Sequence, residues 1–163
     1  MTMTRSVSAA LLVCLAVAAP ARAADDLIEK LVTCKESWYD NRSDEARMRA
    51  LGNTFNESFK PHEKEHYFVP KSKVTVLGLP VVQAYPQSVG MGLGFSLLVD
   101  ANFDKARAAL EKATGKSLEQ CETGDGMKSC ELEVAEKRTL MVLAGENGRS
   151  KTTLLGCYYF YEK

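Results

Sequence analysis

The chain has 163 residues, 45% of them hydrophobic, with 21 basic side chains matching 21 acidic ones. That is enough apolar material for one hydrophobic core and too little length for two. A charge balance without cationic excess argues against a sequence-independent nucleic-acid binder, which needs one on its surface.

The first 23 residues carry an early cation at Arg5, an apolar run from Ala9 to Ala19, then Pro20 and the small-x-small triplet Ala21-Arg22-Ala23. This is the layout of a secretory signal, expected to be cleaved after Ala23. A buried N-terminal helix is the alternative, and Pro20 with the A-R-A ending suits a cleavage site better. Cys14 follows Val13 in mid-run, so it lacks the context of a lipidation site. The Ala/Val-rich signal points to the periplasm or the medium of a bacterium. Loss of Arg5 and Arg22 takes the 21 basic residues to 19 against 21 acidic ones, a net charge of −2. Later apolar runs are interrupted by Gly, Gln, Pro or charge, so no membrane span is expected in residues 24–163. Those residues are read as one disulfide-stabilised domain.

In DDLIEKLVTCKESWYD, Leu27, Leu31, Cys34 and Trp38 recur at helical spacing, with Asp25 and Asp26 in the first turn. A second helix is expected after Ser43, with Met48, Leu51, Phe55 and Phe59 on one face and Pro61 at its end. From Val69 the period changes to two: KVTVLG and LPVVQAYP read as short strands around Gly78, and Met91–Val99 as a stronger one. Asn102 is placed to cap a helix over 103–114, with Phe103, Ala106, Leu110 and Ala113 on one face and Gly115 as the stop. Three strands follow, at 130–135, 139–144 and 152–161, joined by connections short enough to force antiparallel neighbours. The expected fold is therefore α+β: an N-terminal helical segment, then a mainly antiparallel sheet of about five strands with the 103–114 helix packed on it.

Four cysteines remain after the signal: Cys34, Cys121, Cys130 and Cys157. An even number in an exported chain reads as two disulfides, and no C-x-x-C or zinc-like pairing is present. Three pairings are open. Cys121–Cys130 is favoured because Gly124 and Gly126 let the chain turn back between them, leaving Cys34–Cys157 to tie the first helix to the last strand. The loop so enclosed, Thr123-Gly124-Asp125-Gly126-Met127-Lys128, is the candidate partner-binding segment, because a loop tied at its base binds with less ordering entropy. An ordinary hairpin turn is the plainer reading of the same residues.

Two patterns invite other activities. Gly90, Gly92 and Gly94 alternate, but they lead into a strand rather than a helix, so no dinucleotide or phosphate loop is formed. Alternate glycines instead share one strand face that something bulky can approach, protein in the commoner case or a ligand in a carrier. His62-Glu63-Lys64-Glu65-His66 fits the zinc-peptidase pattern, which works on a buried helix. Here Pro61 and Pro70 flank it, charged residues fill the middle, and no third ligand follows. No cofactor motif or catalytic constellation is assigned. The leading expectation is an exported, non-enzymatic binding protein, of inhibitor or immunity type, acting on a protein partner in the cell envelope or the medium. A zinc-dependent hydrolase using His62, Glu63 and His66, and a small-ligand carrier using the glycine face, are the alternatives.

Overall fold

A computed structural model describes residues 19–37, 44–86 and 93–159. Helix α1 (Ala19–Val32) starts earlier than the expected Asp25. Alanine is the strongest helix former and Pro20 is tolerated in a first turn, so the helix runs through Ala21-Arg22-Ala23. Its buried stripe is Ile28, Leu31 and Val32 with Leu27 beside them. Cys34 is not on that stripe. It follows the helix at φ 60°, while Lys35 N–H donates to Lys30 O at 2.9 Å and Cys34 N–H to Leu31 O at 3.4 Å. That is a Schellman stop, with cysteine where glycine is usual. Trp38 and Ser43 lie outside the described residues. Asp44, rather than Ser43, caps α2 (Glu45–Ser58), accepting from Arg47 N–H at 2.9 Å.

Strands β1 (Phe59–Pro61), β2 (Phe68–Pro70), β3 (Thr75–Val76), β4 (Leu79–Tyr85) and β5 (Leu93–Val99) lead to helix α3 (Phe103–Thr114). Asn102 and Gly115 cap α3 as expected, Gly115 at φ 67°. Strands β6 (Gln120–Gly124), β7 (Met127–Ala135), β8 (Arg138–Ala144) and β9 (Thr153–Tyr159) complete the chain, with a short 3-10 turn at Glu146–Gly148. The class is α+β, but the antiparallel sheet has nine strands among the described residues rather than about five. Its order is β1-β2-β4-β5-β9-β8-β7-β6, with β3 paired to β4 at one side. The additional strands β1, β2 and β6 are short or fully exposed, so none carries the buried alternation that announces a strand in sequence.

Strand β9 lies between β5 and β8, each antiparallel to it. One face of this centre presents Phe95, Leu97, Leu140, Val142, Leu155 and Cys157, all buried in the core with the inward residues of the helices. Phe55 joins α2 to it, stacked on Phe59 with centroids 4.8 Å apart and edge-on to Phe68 and Phe95 at 5.0 and 5.9 Å. The Cys34–Cys157 disulfide crosses this core with Cα atoms 5.2 Å apart. Hydrogen bonds hold the chain after α1 to the same sheet: Arg138 Nη1 donates to Cys34 O at 3.4 Å, and the Tyr159 hydroxyl to Glu36 O at 3.2 Å.

Candidate functional site: a disulfide-tied hairpin

Strands β6 and β7 form a hairpin whose two central residues are Asp125 and Gly126, with Gly124 opposite Met127. Both central residues have positive φ, 50° and 77°, as the two-residue type I′ turn requires. Glycine tolerates this freely, and aspartate better than most side chains. Cys121 and Cys130 lie directly opposite each other and are joined, Cα atoms 4.0 Å apart. Cys130 is buried under the core face, while Cys121 is exposed. The disulfide therefore anchors the exposed strand β6 to the buried Cys130 of β7.

Of the six residues expected at the tip, five are exposed: Thr123, Gly124, Asp125, Gly126 and Met127. Met127, at 40%, and Val82, at 38%, are the large apolar side chains most open to solvent among those described. Lys128 is different. It is on the core-facing side of β7, with its ammonium 4.4 Å from the centre of the Phe103 ring and 3.7 Å from Asp104 Oδ1. Its stem packs on Gly148, where an added Cβ would lie 2.7 Å from Lys128 Cδ. Lys128 thus supports the tip from below. Asn147 N–H donates to Gly126 O at 2.8 Å, so the turn itself is braced by the 3-10 segment.

The root of the hairpin is also fixed. Leu118 is fully buried, and its N–H donates to Glu111 Oε1 of α3 at 2.9 Å. Arg107 Nε donates to the same oxygen at 3.0 Å. The Leu118 bond first, and then Arg107, hold the Glu111 carboxyl below the ordinary glutamate range.

The histidine motif does not form a helix. Residues 62–67 connect β1 to β2, with His62 N–H donating to Tyr67 O at 2.9 Å and the His62 ring stacked on Tyr67 at 4.6 Å between centroids. Histidines four apart share a face only on a helix, and this connection provides none. Among the described residues no group of three His, Cys, Asp or Glu side chains is placed to hold a metal ion.

Gly90 and Gly92 lie outside the described residues. At Gly94 the approaching group is protein: a Cβ there would run into the Cys157 carbonyl oxygen, with Tyr158 Cα at 3.1 Å. Gly156 reciprocates, its notional Cβ meeting Phe95 O and lying 2.7 Å from Ser96 Cα. Strands β5 and β9 therefore fill at Gly94 the space a pocket wall would need. On this same face the Ser96 and Tyr158 hydroxyls are buried with no partner in hydrogen-bonding geometry among the described residues. Burial pushes the Tyr158 hydroxyl well above its usual range; the nearby Ser96 hydroxyl works against that shift and the Glu131 carboxylate adds to it.

Sequence reasoning located the tip and the pairing of its cysteines, and missed β6 as a strand. The signal available was the register itself: cysteines nine apart around a two-residue turn must stand opposite each other. Fold and site together define an α+β domain with a braced, disulfide-tied hairpin at one end of its sheet. No known protein-family model, curated protein or solved structure matches the chain.

Proposed function

We propose that this chain is an exported, non-enzymatic binding domain that presents the 123–127 tip to a protein partner outside the cytoplasm, as an inhibitor or immunity-type protein does. The carrying observation is the exposure of Met127 beside a type I′ turn that is closed at its base by the Cys121–Cys130 disulfide. A backbone already held in one shape loses little entropy when the tip docks, so the desolvation of Met127 is available as binding energy. Two supports for the compartment are compatible with this reading. Disulfides persist in oxidising environments, and no helix among the described residues is long and apolar enough to cross a membrane.

The test is site-specific photocrosslinking in cell-envelope extract of the source organism, with the photoreactive residue at Met127 or, as control, at Val82. A discrete adduct from Met127 and none from Val82 is expected. Equal labelling from both positions, or none from either, would remove the tip from the account. N-terminal sequencing of the native protein tests export separately: the chain should begin at Ala24 and read ADDLIEK.

A further inference from the structure

Among the described residues no strand covers the edge of the sheet beyond β6. Strand β6 ends the strand path, pairs with β7 alone among the described strands, and has all five residues exposed. The two-residue turn makes Gly124 and Met127 the hydrogen-bonded closing pair, and antiparallel pairs then alternate. Glu122 with Ser129 and Gln120 with Glu131 are hydrogen-bonded pairs; Thr123 with Lys128 and Cys121 with Cys130 are not. The short Cα separation of 4.0 Å at the disulfide agrees with that assignment, since non-hydrogen-bonded pairs approach more closely. The backbone N–H and C=O groups of Cys121 and Thr123 therefore point away from β7, to the free edge.

The side chains bordering that edge are acidic. Glu122 shares a sheet face with Glu131 and Glu133 of β7, and Glu119 leads into the strand. None of these four carboxylates is in an ion pair among the described residues. The cation of β7, Lys128, lies on the opposite face over Phe103. Building on the binding role argued above, we propose that the β6 edge takes up an extended segment of the protein partner by strand addition, with a basic side chain of that segment opposite Glu122. Backbone hydrogen bonds to Cys121 and Thr123 supply the attachment, and the acidic face selects the sequence.

A second copy of the chain fits less well. The self-pairing register that uses both Cys121 and Thr123 sets Glu122 opposite the same residue of the copy, and directly opposed like charges are destabilising. A short, acidic edge is a usual device against indiscriminate pairing, so a basic strand is the complement it admits.

The test uses the full chain, labelled with nitrogen-15, titrated with three synthetic heptapeptides. One alternates Thr and Lys, one alternates Thr and Glu, and the third is the basic peptide with alternate backbone nitrogens methylated. The basic peptide should shift the Cys121 and Thr123 amide resonances, slow their exchange with water, and bind about ten-fold tighter than the acidic one, the contrast of opposite against like charges across paired strands. Methylation should abolish the effect, and Glu122→Lys, with an unchanged melting temperature, should reverse the peptide preference. Binding that survives methylation, a preference unaltered in Glu122→Lys, or edge amides that never respond would each overturn strand addition. The two readings fail separately. If Glu122→Lys leaves the Met127 photoadduct at parental yield, the tip reading stands and the edge proposal falls; if the parent gives no adduct, the tip reading itself falls.

Discussion

The centre of the sheet at β5 and β9 and the outlying hairpin of β6 and β7 are built from the same parts: two antiparallel strands, a disulfide and two glycines. The parts do opposite work. In the centre, Gly94 and Gly156 have no room for a Cβ because neighbouring backbone occupies the space. In the hairpin, nothing lies within 4 Å of a Cβ added at Gly124 or Gly126; Gly126 is there for its positive φ. The central disulfide closes a sequence separation of 123 residues, the outer one a separation of 9. One region spends its chemistry on packing, and the other on holding a shape in solvent. A glycine or a cystine therefore carries no fixed meaning until its surroundings are known.

The largest effect separating the regions should come from the disulfides. In the loop-entropy account a cross-link over more than a hundred residues contributes about 4–5 kcal/mol, and one over nine roughly 2.5 kcal/mol. Cys157→Ala should therefore lower the unfolding free energy, measured by urea denaturation without reductant, by more than Cys121→Ala does. Equal losses would mean that the buried cystine is no more a core staple than the exposed one. Within the central pair, Cys34→Gly should be less damaging than Cys34→Ala by roughly 1 kcal/mol, because Cys34 sits at φ 60°.

The glycines give the next contrast. Gly156→Ala forces a Cβ against Phe95 O and Ser96 Cα, backbone atoms with no rotamer to change, and should destabilise the protein by about 3 kcal/mol. Gly124→Ala meets open space without a positive φ and should stay within about 0.5 kcal/mol of the parent. Matching thermal midpoints for the two variants would dissolve the distinction between a packed centre and an unpacked arm.

The same contrast governs what could be read from sequence. Elements that bury a face declare it through periodicity: α3 matches its expected span residue for residue, and β4, β5, β8 and β9, at 79–85, 93–99, 138–144 and 153–159, fall on the stretches expected at 79–86, 91–99, 139–144 and 152–161 with ends shifted by a residue or two. Elements that bury little do not. Strand β6, fully exposed, has no apolar alternation, and β1 and β2 are three residues each and end in proline. The cysteine pairing was legible because turn-forming glycines imply a local partner, leaving one choice for the rest. The place of Cys34 was not: helical spacing put it on a stripe with Leu31, whereas the helix had already stopped and the disulfide holds it in a left-handed turn. The orientation of Lys128, away from the tip, follows from α3 supplying Phe103 and Asp104, a contact across the fold that local sequence does not encode. The HEKEH segment shows the converse, since a five-residue pattern specifies ligands only when a helix aligns them.

The smallest effect lies at the joint between the two regions. Glu111 of α3 accepts the Leu118 N–H at the root of the hairpin, and this bond, with Arg107, keeps its carboxyl below the ordinary value near 4.5. A carboxyl with a folded-state pKa below its unfolded one contributes stability that is complete above the unfolded value and is lost as pH falls through the folded one. The contribution should thus be intact at neutral pH and disappear in the range below about 4.5. Its size should stay under about 1 kcal/mol, because the side chain keeps 27% of its surface in water. Glu111→Gln retains an oxygen to accept from Leu118 but no longer titrates, so its unfolding free energy should decline less between pH 6 and pH 3, values chosen to bracket the ordinary carboxyl range, than that of the parent. Amide protection, corrected for the intrinsic pH dependence of exchange, locates the effect: in the parent, protection at Leu118 should fall on acidification, while protection at Leu155 and Cys157 holds. If acid loosened the centre and the root together, Glu111 would be one more surface carboxylate and not the tie between core and arm.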